Sequence, residues 1–475
     1  MTKAHLGWFD ILRLGLVQAA LGSIVVLTTS TLNRVMVVEL ALPAMIPGFL
    51  VALHYCVQMS RPRWGYGSDE GGRRTPWIIG GMAVLAAGAL MAAGAVYVHP
   101  AAPLASAALA LAGFTLIGVG VGAAGTSLLA FLATHVAPAR RAPAAASVWL
   151  MMIAGFIVTA ATSGALLDPY SPGRLMAIAT GVAIAACIVA CLAVAGIERR
   201  FDAANPARAT PRPAPSGLGA APRQSFTAAL GEVWAEQRAR QFTIFVFVSM
   251  LAFSAQDLIL EPFAGLAFQM TPGETTSLSG VQHSGVFAGM ALIGFAGNLL
   301  ARRYAGTMRL FTVAGCLASA AALAALAVGG LVGPGWPLAT NVFLLGFANG
   351  VFAVAAIGSM MGLASDGVEN REGTRMGLWG AAQALAFGLG SFLGTVGVDA
   401  ARAVTASTAT AYGAVFIAEA ALFIAAALLA WRLSTDALGK LKRDADSPYA
   451  GLARSTGQPR DAGPRMSPTP SFAGE

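Results

Sequence analysis

Long apolar runs dominate the sequence and predict a bundle of membrane-spanning helices. About 20 mostly apolar residues in a helix are enough to cross the hydrocarbon core of a bilayer. Six such runs precede residue 197 and six follow residue 240. The predicted fold class is therefore all-α integral membrane, with twelve transmembrane helices in two six-helix halves. The predicted helices lie near 11–33, 43–60, 77–98, 104–134, 146–167, 174–196, 241–266, 284–302, 308–332, 338–363, 374–398 and 409–432.

Polar segments divide the chain into its predicted parts. The segment between the halves is rich in Pro, Ala and Arg and is too poor in apolar residues to fold. Apolar residues recur at helical spacing over 226–234, which suits either a helix on the membrane surface or an extension of the seventh helix. The predicted domains are an N-terminal half over 1–197, a cytoplasmic linker over 198–240, a C-terminal half over 241–432 and a cytoplasmic, largely disordered tail over 433–475.

The composition excludes a water-soluble globule. Hydrophobic residues make up 56% of the chain and charged residues only 11%, whereas soluble domains carry about 25% charged residues. The formal net charge of +8 is spread over short loops, so we expect the lipid bilayer as a partner and no nucleic acid.

The basic residues predict the orientation of the bundle. Of the 30 Lys and Arg residues, Arg34, Arg174 and Arg402 fall on one side of the predicted helices, which leaves 27 on the other. Because cytoplasmic loops carry the excess of Lys and Arg, both termini are predicted to be cytoplasmic.

The sequence lacks several common catalytic and metal-binding motifs. It has no Walker A loop, no H-E-x-x-H, no G-x-S-x-G and no paired Asp-rich motif of the kind that binds magnesium diphosphate. The four cysteines lie in apolar runs, and Cys187 and Cys191 have no His or further Cys nearby to complete a metal site. We therefore expect neither an enzyme nor a metal site.

A charged loop between the second and third predicted helices carries a superfamily motif. Gly65, Asp69, Gly72, Arg73 and Arg74 form the pattern G-x-x-x-D-x-x-G-R-R. It resembles the motif of the major facilitator superfamily, and we expect it to latch the two halves on the cytoplasmic side.

Parts of the first half recur in the second. The loop motif returns in degraded form over 294–303, where Asn298 replaces the Asp. Gly118 and Gly122 match Gly346 and Gly350 at an offset of 228 positions. These matches favour a duplicated six-helix unit, although packing alone also explains the glycines.

Three separated segments resemble one family more closely. They are Thr31-Leu-Asn-Arg-Val-Met-Val-Val-Glu-Leu, the loop motif continued by Thr75-Pro-Trp-Ile, and Gln256-Asp-Leu-Ile-Leu-Glu-Pro-Phe. Together they resemble the PucC/LhaA family, also called the bacteriochlorophyll delivery family, of purple phototrophic bacteria. The loop is more similar to the factors for the core antenna (LH1), LhaA, than to those for the peripheral antenna, and a third group of relatives has similar loops.

This resemblance implies a function and a set of partners. It implies an assembly factor for the core light-harvesting complex in the bacterial cytoplasmic membrane, which binds or delivers bacteriochlorophyll as its cofactor or cargo. The implied partners are the antenna polypeptides, the reaction centre, bacteriochlorophyll synthase and the membrane insertion machinery. A secondary transporter of a small or amphiphilic solute is the alternative, because most proteins of this shape carry solutes.

Ionisable residues inside predicted helices are the candidate functional residues, because each costs free energy to insert. Asp257 and Glu261 share one face of the seventh helix. Arg34 is expected to end the first helix, with Glu39 just beyond it, and to pair with Asp257 or Glu261. The pair would either close the bundle as a structural contact or contact pigment and titrate during a conformational change.

Two histidines are candidate pigment ligands, since a neutral imidazole can bind the magnesium of a chlorin. His54 lies in the middle of the second predicted helix, and His283 is expected at the start of the eighth, nearer the surface. The alternative for each is a hydrogen-bonded packing residue.

Overall fold

The computed structural model describes residues 6–60, 73–137, 140–204, 234–235, 237–294, 307–365 and 372–445, and these residues form helices and short connections without a β-strand. A short helix, Ile197–Ala204, follows the sixth long one. The long helices are α1 Trp8–Glu39, α2 Met45–Gln58, α3 Thr75–Val98, α4 Pro103–His135, α5 Arg141–Leu167, α6 Pro172–Val194, α7 Gln237–Ala267, α8 Pro272–Leu292, α9 Thr307–Val332, α10 Leu338–Ser365, α11 Glu372–Val404 and α12 Thr408–Ala445.

The prediction of an all-helical membrane protein is confirmed. Within the described residues, ten helices are long and apolar enough to cross a membrane. Helix α2 is shorter, with 14 residues, and α8 is rich in Ser, Thr, Gln and Gly.

Helix α1 is longer than predicted, and Arg34 does not end it. The helix continues through two π-helical segments, Leu27–Thr31 and Val35–Glu39, so that Glu39 belongs to its last turn. Polar residues after Leu32 interrupt the apolar run, which is why the hydrophobic pattern placed the end near residue 33.

Helix α8 begins twelve residues before its predicted start. Pro272 opens the helix, and Thr271 and Glu274 form a capping box at its N-terminus. His283 therefore lies in the middle of α8 and is half-buried, so its predicted place near the surface is wrong. The first half of α8 was missed because its hydroxyl and amide side chains weaken the apolar signal.

The predicted linker and tail are only partly described. The short helix Ile197–Ala204 begins inside the predicted boundary of the first half, and α7 begins at Gln237. Residues 205–233 and 446–475 lie outside the described residues, as do 295–306 with most of the second copy of the loop motif. Residues Met1–Trp431 form one compact unit, and Arg432–Glu475 are grouped as a second.

Three sets of helix contacts join the first six helices to the last six. Helix α5 packs along α8, α2 packs along α11, and the C-terminal part of α1 touches α7 and α8. Glycines permit the closest approaches: a Cβ on Gly164 would overlap Ser277 and Gly273, and one on Gly48 would overlap Thr395. The end of the bundle at which α1 finishes is called the Glu39 end below.

Candidate functional site

The irregular part of α1 presents a run of hydroxyl groups. The Thr28 hydroxyl donates to the carbonyls of Ile24 (3.1 Å) and Val25 (2.9 Å), and the Thr29 hydroxyl donates to that of Val25 (2.9 Å). Such side-chain bonds compete with the helical ladder and accompany irregular helix turns. Ser30 and Thr31, next in the chain, are buried against the second half.

A proline in α7 explains why Asn33 is buried. Pro262 lacks an N–H, so the carbonyl of Leu258, four residues earlier, loses its helical donor. The Asn33 side-chain amide of α1 donates to that carbonyl at 2.6 Å. A missing bond inside α7 is thus replaced by a bond between the two halves.

Glu261 lies at the same junction. It is 2% exposed, and its Oε1 atom accepts a hydrogen bond from the Ser30 hydroxyl. Ser30 also lies 3.2 Å from the Ser279 hydroxyl, and the Thr31 and Thr276 hydroxyls are 3.2 Å apart. Two of the three segments that carry the family resemblance, those around Thr31 and Glu261, therefore meet in the fold.

A narrow crevice runs between α1, α5, α7 and α8 at this point. Its volume is about 160 Å³ when the space open to the outside is included, so the crevice is too narrow for a pigment. Most of the residues around it are hydroxyl-bearing, and Glu261 is the acidic one. The lining residues are Val26, Leu27, Ser30, Thr31, Thr159, Ala160, Ser163, Glu261, Thr276 and Ser279.

Arg34 does not make the ion pair predicted from the sequence. Its guanidinium pairs with Glu39, one turn further along α1, and also donates to the Met270 carbonyl at 2.9 Å. In the described residues neither Asp257 nor Glu261 forms a salt bridge with it. The prediction failed because the helix continues past Arg34 and brings Glu39 within reach.

Asp257 and Glu419 are further acidic groups inside the bundle. Gln282 of α8 donates to Asp257 Oδ1 at 3.4 Å, a weak contact. Glu419 of α12 is 2% exposed, and both its oxygens lack a hydrogen-bond partner among the described residues. Asp257 and Glu419 interact electrostatically, so α7 and α12 share a second acidic region.

Both histidines make contacts typical of packing residues. His54 is 1% exposed; its Nε2 atom lies 2.8 Å from the Gln58 amide nitrogen, and its Nδ1 atom lies 3.3 Å from the Val51 carbonyl. His283 Nδ1 lies 2.8 Å from the Ser279 carbonyl, and the ring packs edge-on against Phe156. The geometry favours the packing interpretation for His54 over a magnesium ligand.

Tyr170 lies in the connection after α5, beside Arg34 and Glu39. Burial and the negative charge of Glu39 raise the pKa of its phenol, Arg34 lowers it, and together they bring the pKa to about 12. The phenol is therefore neutral at physiological pH and contributes no charge at the Glu39 end.

Two aspartates that the sequence analysis did not single out join the halves at the Glu39 end. Asp168, after α5, accepts hydrogen bonds from the Thr271 hydroxyl (2.5 Å) and the Gly273 N–H (3.1 Å) at the start of α8. Asp399 of α11 accepts from the N–H groups of Ala44 (3.1 Å) and Met45 (2.7 Å) at the start of α2. Each carboxylate thus caps the N-terminus of a helix in the other half. We call these contacts the aspartate latches.

The predicted cytoplasmic latch motif is described only at its end. Gly65, Asp69 and Gly72 lie outside the described residues, whereas Arg73 and Arg74 precede α3. The Glu198 carboxylate accepts from the backbone N–H groups of Arg74 (2.5 Å) and Thr75 (2.9 Å). This contact caps α3 within the first half and was not predicted.

The chain has the architecture of several solved transporter structures. The chain is similar to a bacterial homologue of the human lysosomal transporter Spinster in an inward-facing conformation, with a TM-score of 0.65, 15% identity and coverage of 90% of this chain and 96% of that chain. It is also similar to the nucleoside transporter NupG, with a TM-score of 0.61, 14% identity and coverage of 89% and 99%. At these identities the likeness shows a fold of the major facilitator type.

Sequence relatives come from purple bacteria. The chain is 53% identical over 425 residues to a Rhodobacter capsulatus protein named bacteriochlorophyll synthase 44.5 kDa chain, covering 90% of this chain and 95% of the relative. It is 30% identical over 435 residues to Protein PucC of Rhodobacter capsulatus, covering 88% and 90%. The family model described as PUCC protein matches residues 31–438. The resemblance found in the sequence is thereby confirmed, and the chain belongs to the PucC protein family.

Proposed function

We propose that this protein is an assembly factor for the core light-harvesting (LH1) complex, of the LhaA kind. It binds or delivers bacteriochlorophyll while the small antenna polypeptides insert into the membrane. The observation that carries this proposal is the family match over residues 31–438, together with a relative at 53% identity whose name refers to bacteriochlorophyll.

The proposed role is not catalytic. One relative carries the word synthase in its name, but this sequence lacks the Asp-rich motifs that bind magnesium diphosphate in membrane prenyltransferases. The transporter-type fold and its membrane family support a role in holding or passing on a pigment made elsewhere. Bacteriochlorophyll synthase is accordingly proposed as a partner that supplies the pigment.

The proposed topology has twelve transmembrane helices, which include α2 and α8, with both termini in the cytoplasm of a bacterium. The distribution of Lys and Arg supports this orientation, and it places the Glu39 end at the periplasm. The aspartate latches support two six-helix repeats: Asp168 and Asp399 are 231 positions apart, close to the glycine offset, and each binds the helix expected from the repeat.

The residues between the halves are proposed to control opening of the bundle. Ser30 donates to Glu261 and Arg34 donates to the Met270 carbonyl across the halves, so separation of the halves must break these two contacts. Asp257, which contacts Gln282 within the second half, is proposed to act beside them. The motif Gly65, Asp69, Gly72, Arg73 and Arg74 is proposed as the cytoplasmic counterpart. A phytyl-tailed pigment is expected to enter between helices from the lipid, because its tail is apolar.

The proposed protein partners are the antenna polypeptides, the reaction centre and the membrane insertion machinery. These partners are themselves membrane proteins or act on them. The outer faces of the helices expose apolar side chains such as Leu104, Val158 and Leu192, which suit lipid and other transmembrane helices alike.

The near-infrared absorption of membranes from a strain lacking this gene tests the proposal. We expect loss of the core-antenna band, retention of the reaction-centre bands, and recovery when the gene is returned. An unchanged spectrum contradicts the proposal, and loss of all pigment bands places the protein upstream, in pigment synthesis. A strain deleted for the core-antenna polypeptides is the control for the spectrum without that complex.

A transporter is the second candidate, and the fold likeness to nucleoside and peptide transporters favours it. Uptake of labelled solutes into proteoliposomes tests this function directly. Uptake combined with an unchanged antenna spectrum would replace the first proposal by the second.

A further inference from the structure

The crevice between α1, α5, α7 and α8 has the composition of an ion site. Its polar lining consists of six hydroxyl side chains and one carboxylate. Ser30 and Ser163 come from the first half, while Glu261 and Ser279 come from the second. A ligand in the crevice would therefore touch both halves at once.

Two buried polar atoms around the crevice lack partners among the described residues. They are Glu261 Oε2 and Ser163 Oγ, and each residue is 2% exposed. A buried polar atom without a hydrogen bond costs about 1–3 kcal/mol, and such atoms are rare in folded proteins. Both residues line the same crevice, which indicates a ligand that is coordinated by oxygen atoms.

The residues that line the crevice include the Glu261 carboxylate and no basic side chain. Arg34 interacts electrostatically with Glu261, but it lies outside the crevice lining and its guanidinium binds Glu39 and the Met270 carbonyl. The nearby polar groups Ser30, Ser279, Thr31 and Thr276 are neutral. An ionised carboxylate at this depth requires a cation.

We propose that this crevice binds one sodium ion. Carboxylate and hydroxyl oxygens suit a hard cation, and one carboxylate balances a single positive charge. Divalent Ca²⁺ and Mg²⁺ need more carboxylates or bound water than the narrow crevice offers. Irregular segments of membrane helices, such as Leu27–Thr31 of α1, are also suited to ion sites because their polar groups are not all used within the helix.

Sodium binding would hold the two halves together. The ion would bridge the interface that α5 and α8 form. Its ligands would be Ser30 and Ser163 from the first half and Glu261 and Ser279 from the second. Such an ion stabilises the closed Glu39 end and must leave before that end opens. This inference goes beyond the proposed assembly role and does not depend on it.

The test measures sodium binding to the full-length purified protein in lipid nanodiscs. The thermal midpoint of unfolding is recorded while NaCl replaces choline chloride or KCl at constant ionic strength and constant pH. We expect sodium to raise the midpoint saturably, on the order of a few degrees, and bound ²²Na⁺ to approach about one ion per chain.

Four variants make the test specific to the crevice. Glu261→Gln should abolish the sodium response, and Ser163→Ala should weaken the affinity roughly tenfold by removing one ligand. Glu419→Gln and Ser127→Ala are the matched controls: each alters a buried, unpartnered group of the same chemistry outside the crevice lining. Both controls should keep the wild-type response.

Three results would overturn the proposal. Equal responses to sodium, potassium and choline would show a salt effect only. A wild-type sodium response in Ser163→Ala and Glu261→Gln would place the ion elsewhere. Stabilisation by acidification, with no effect of sodium at any pH, would assign the crevice to a proton. Ser163→Ala keeps the test decisive where Glu261→Gln does not fold.

Discussion

At the scale of single residues, several buried polar groups in this protein are paired across the two halves. Asn33 replaces the donor that Pro262 cannot supply, and Ser30 donates to Glu261. In a membrane such groups cannot exchange their protein partners for water, so each pair specifies which helices meet. Arg34, which donates to the Met270 carbonyl, is the basic member of this set.

Replacing Arg34 by Met should lower the free energy of unfolding by about 1–3 kcal/mol. The substitution leaves Glu39 without its cation and the Met270 carbonyl without its donor. Unfolding by SDS in mixed micelles measures the change. Arg174→Met is the control, because Arg174 is an exposed arginine at the same end and its loss should cost less than about 0.5 kcal/mol. Equal losses for the two variants would contradict a structural role for the Arg34 contacts.

At the scale of elements, glycines set how closely the helices pack. A Cβ on Gly346 of α10 would overlap the carbonyl oxygen of Gln282 in α8, and one on Gly350 would overlap that of Val286. In the first half, a Cβ on Gly118 of α4 would lie 2.7 Å from the carbonyl oxygen of His54 in α2. The pairs α4–α2 and α10–α8 thus use matching glycines for the same contact.

Replacing Gly346 by Ala should therefore lower the free energy of unfolding by about 1–3 kcal/mol, because the two backbones must move apart. Gly181→Ala in α6 makes the same chemical change where nothing lies within 4 Å of the new Cβ. The control should be neutral or slightly stabilising, since alanine is the better helix former. Thermal unfolding of the two purified variants beside the parent measures both effects, and equal midpoints for the two variants would refute the packing argument.

At the scale of the whole molecule, the aspartate latches tie the halves together at one end on two sides. Asp168 joins α5 to α8, and Asp399 joins α11 to α2. Loss of a helix cap costs about 1 kcal/mol, so removal of both should shift the balance between closed and open forms by roughly 30-fold.

Pulsed electron paramagnetic resonance can measure this shift in nanodiscs. Spin labels on cysteines placed at the exposed positions Leu104 of α4 and Val404 of α11 report the separation of the halves at that end, in a chain whose four native cysteines are replaced by Ala. The double variant Asp168→Ala, Asp399→Ala should add a population at longer distances. Asp10→Ala, at the other end of α1, should leave the distribution unchanged. An identical distribution in the double variant would contradict the latch.

Much of the fold could be predicted from the sequence by one rule: a helix that crosses the lipid is apolar over about 20 residues. The apolar runs predicted most of the helices to within a few residues. The rule fails where polar groups face other helices: it ended α1 too early and started α8 at residue 284 instead of Pro272. The missed start of α8 contributes Thr276 and Ser279 to the crevice, so hydropathy fails at a part of the fold that forms the candidate site.

The sequence by itself determined that the protein is a helical membrane protein and, through three local segments, its family. Both follow from information local in the chain: runs of apolar residues and short motifs. Only the tertiary structure decided that Arg34 pairs with Glu39, that Asn33 replaces the donor missing at Pro262, and that Asp168 and Asp399 cap helices of the opposite half. Three of these four contacts join residues more than 100 positions apart, and the fourth, between Arg34 and Glu39, depends on where α1 ends. Such contacts are set by which helices pack together, and no local pattern records that choice.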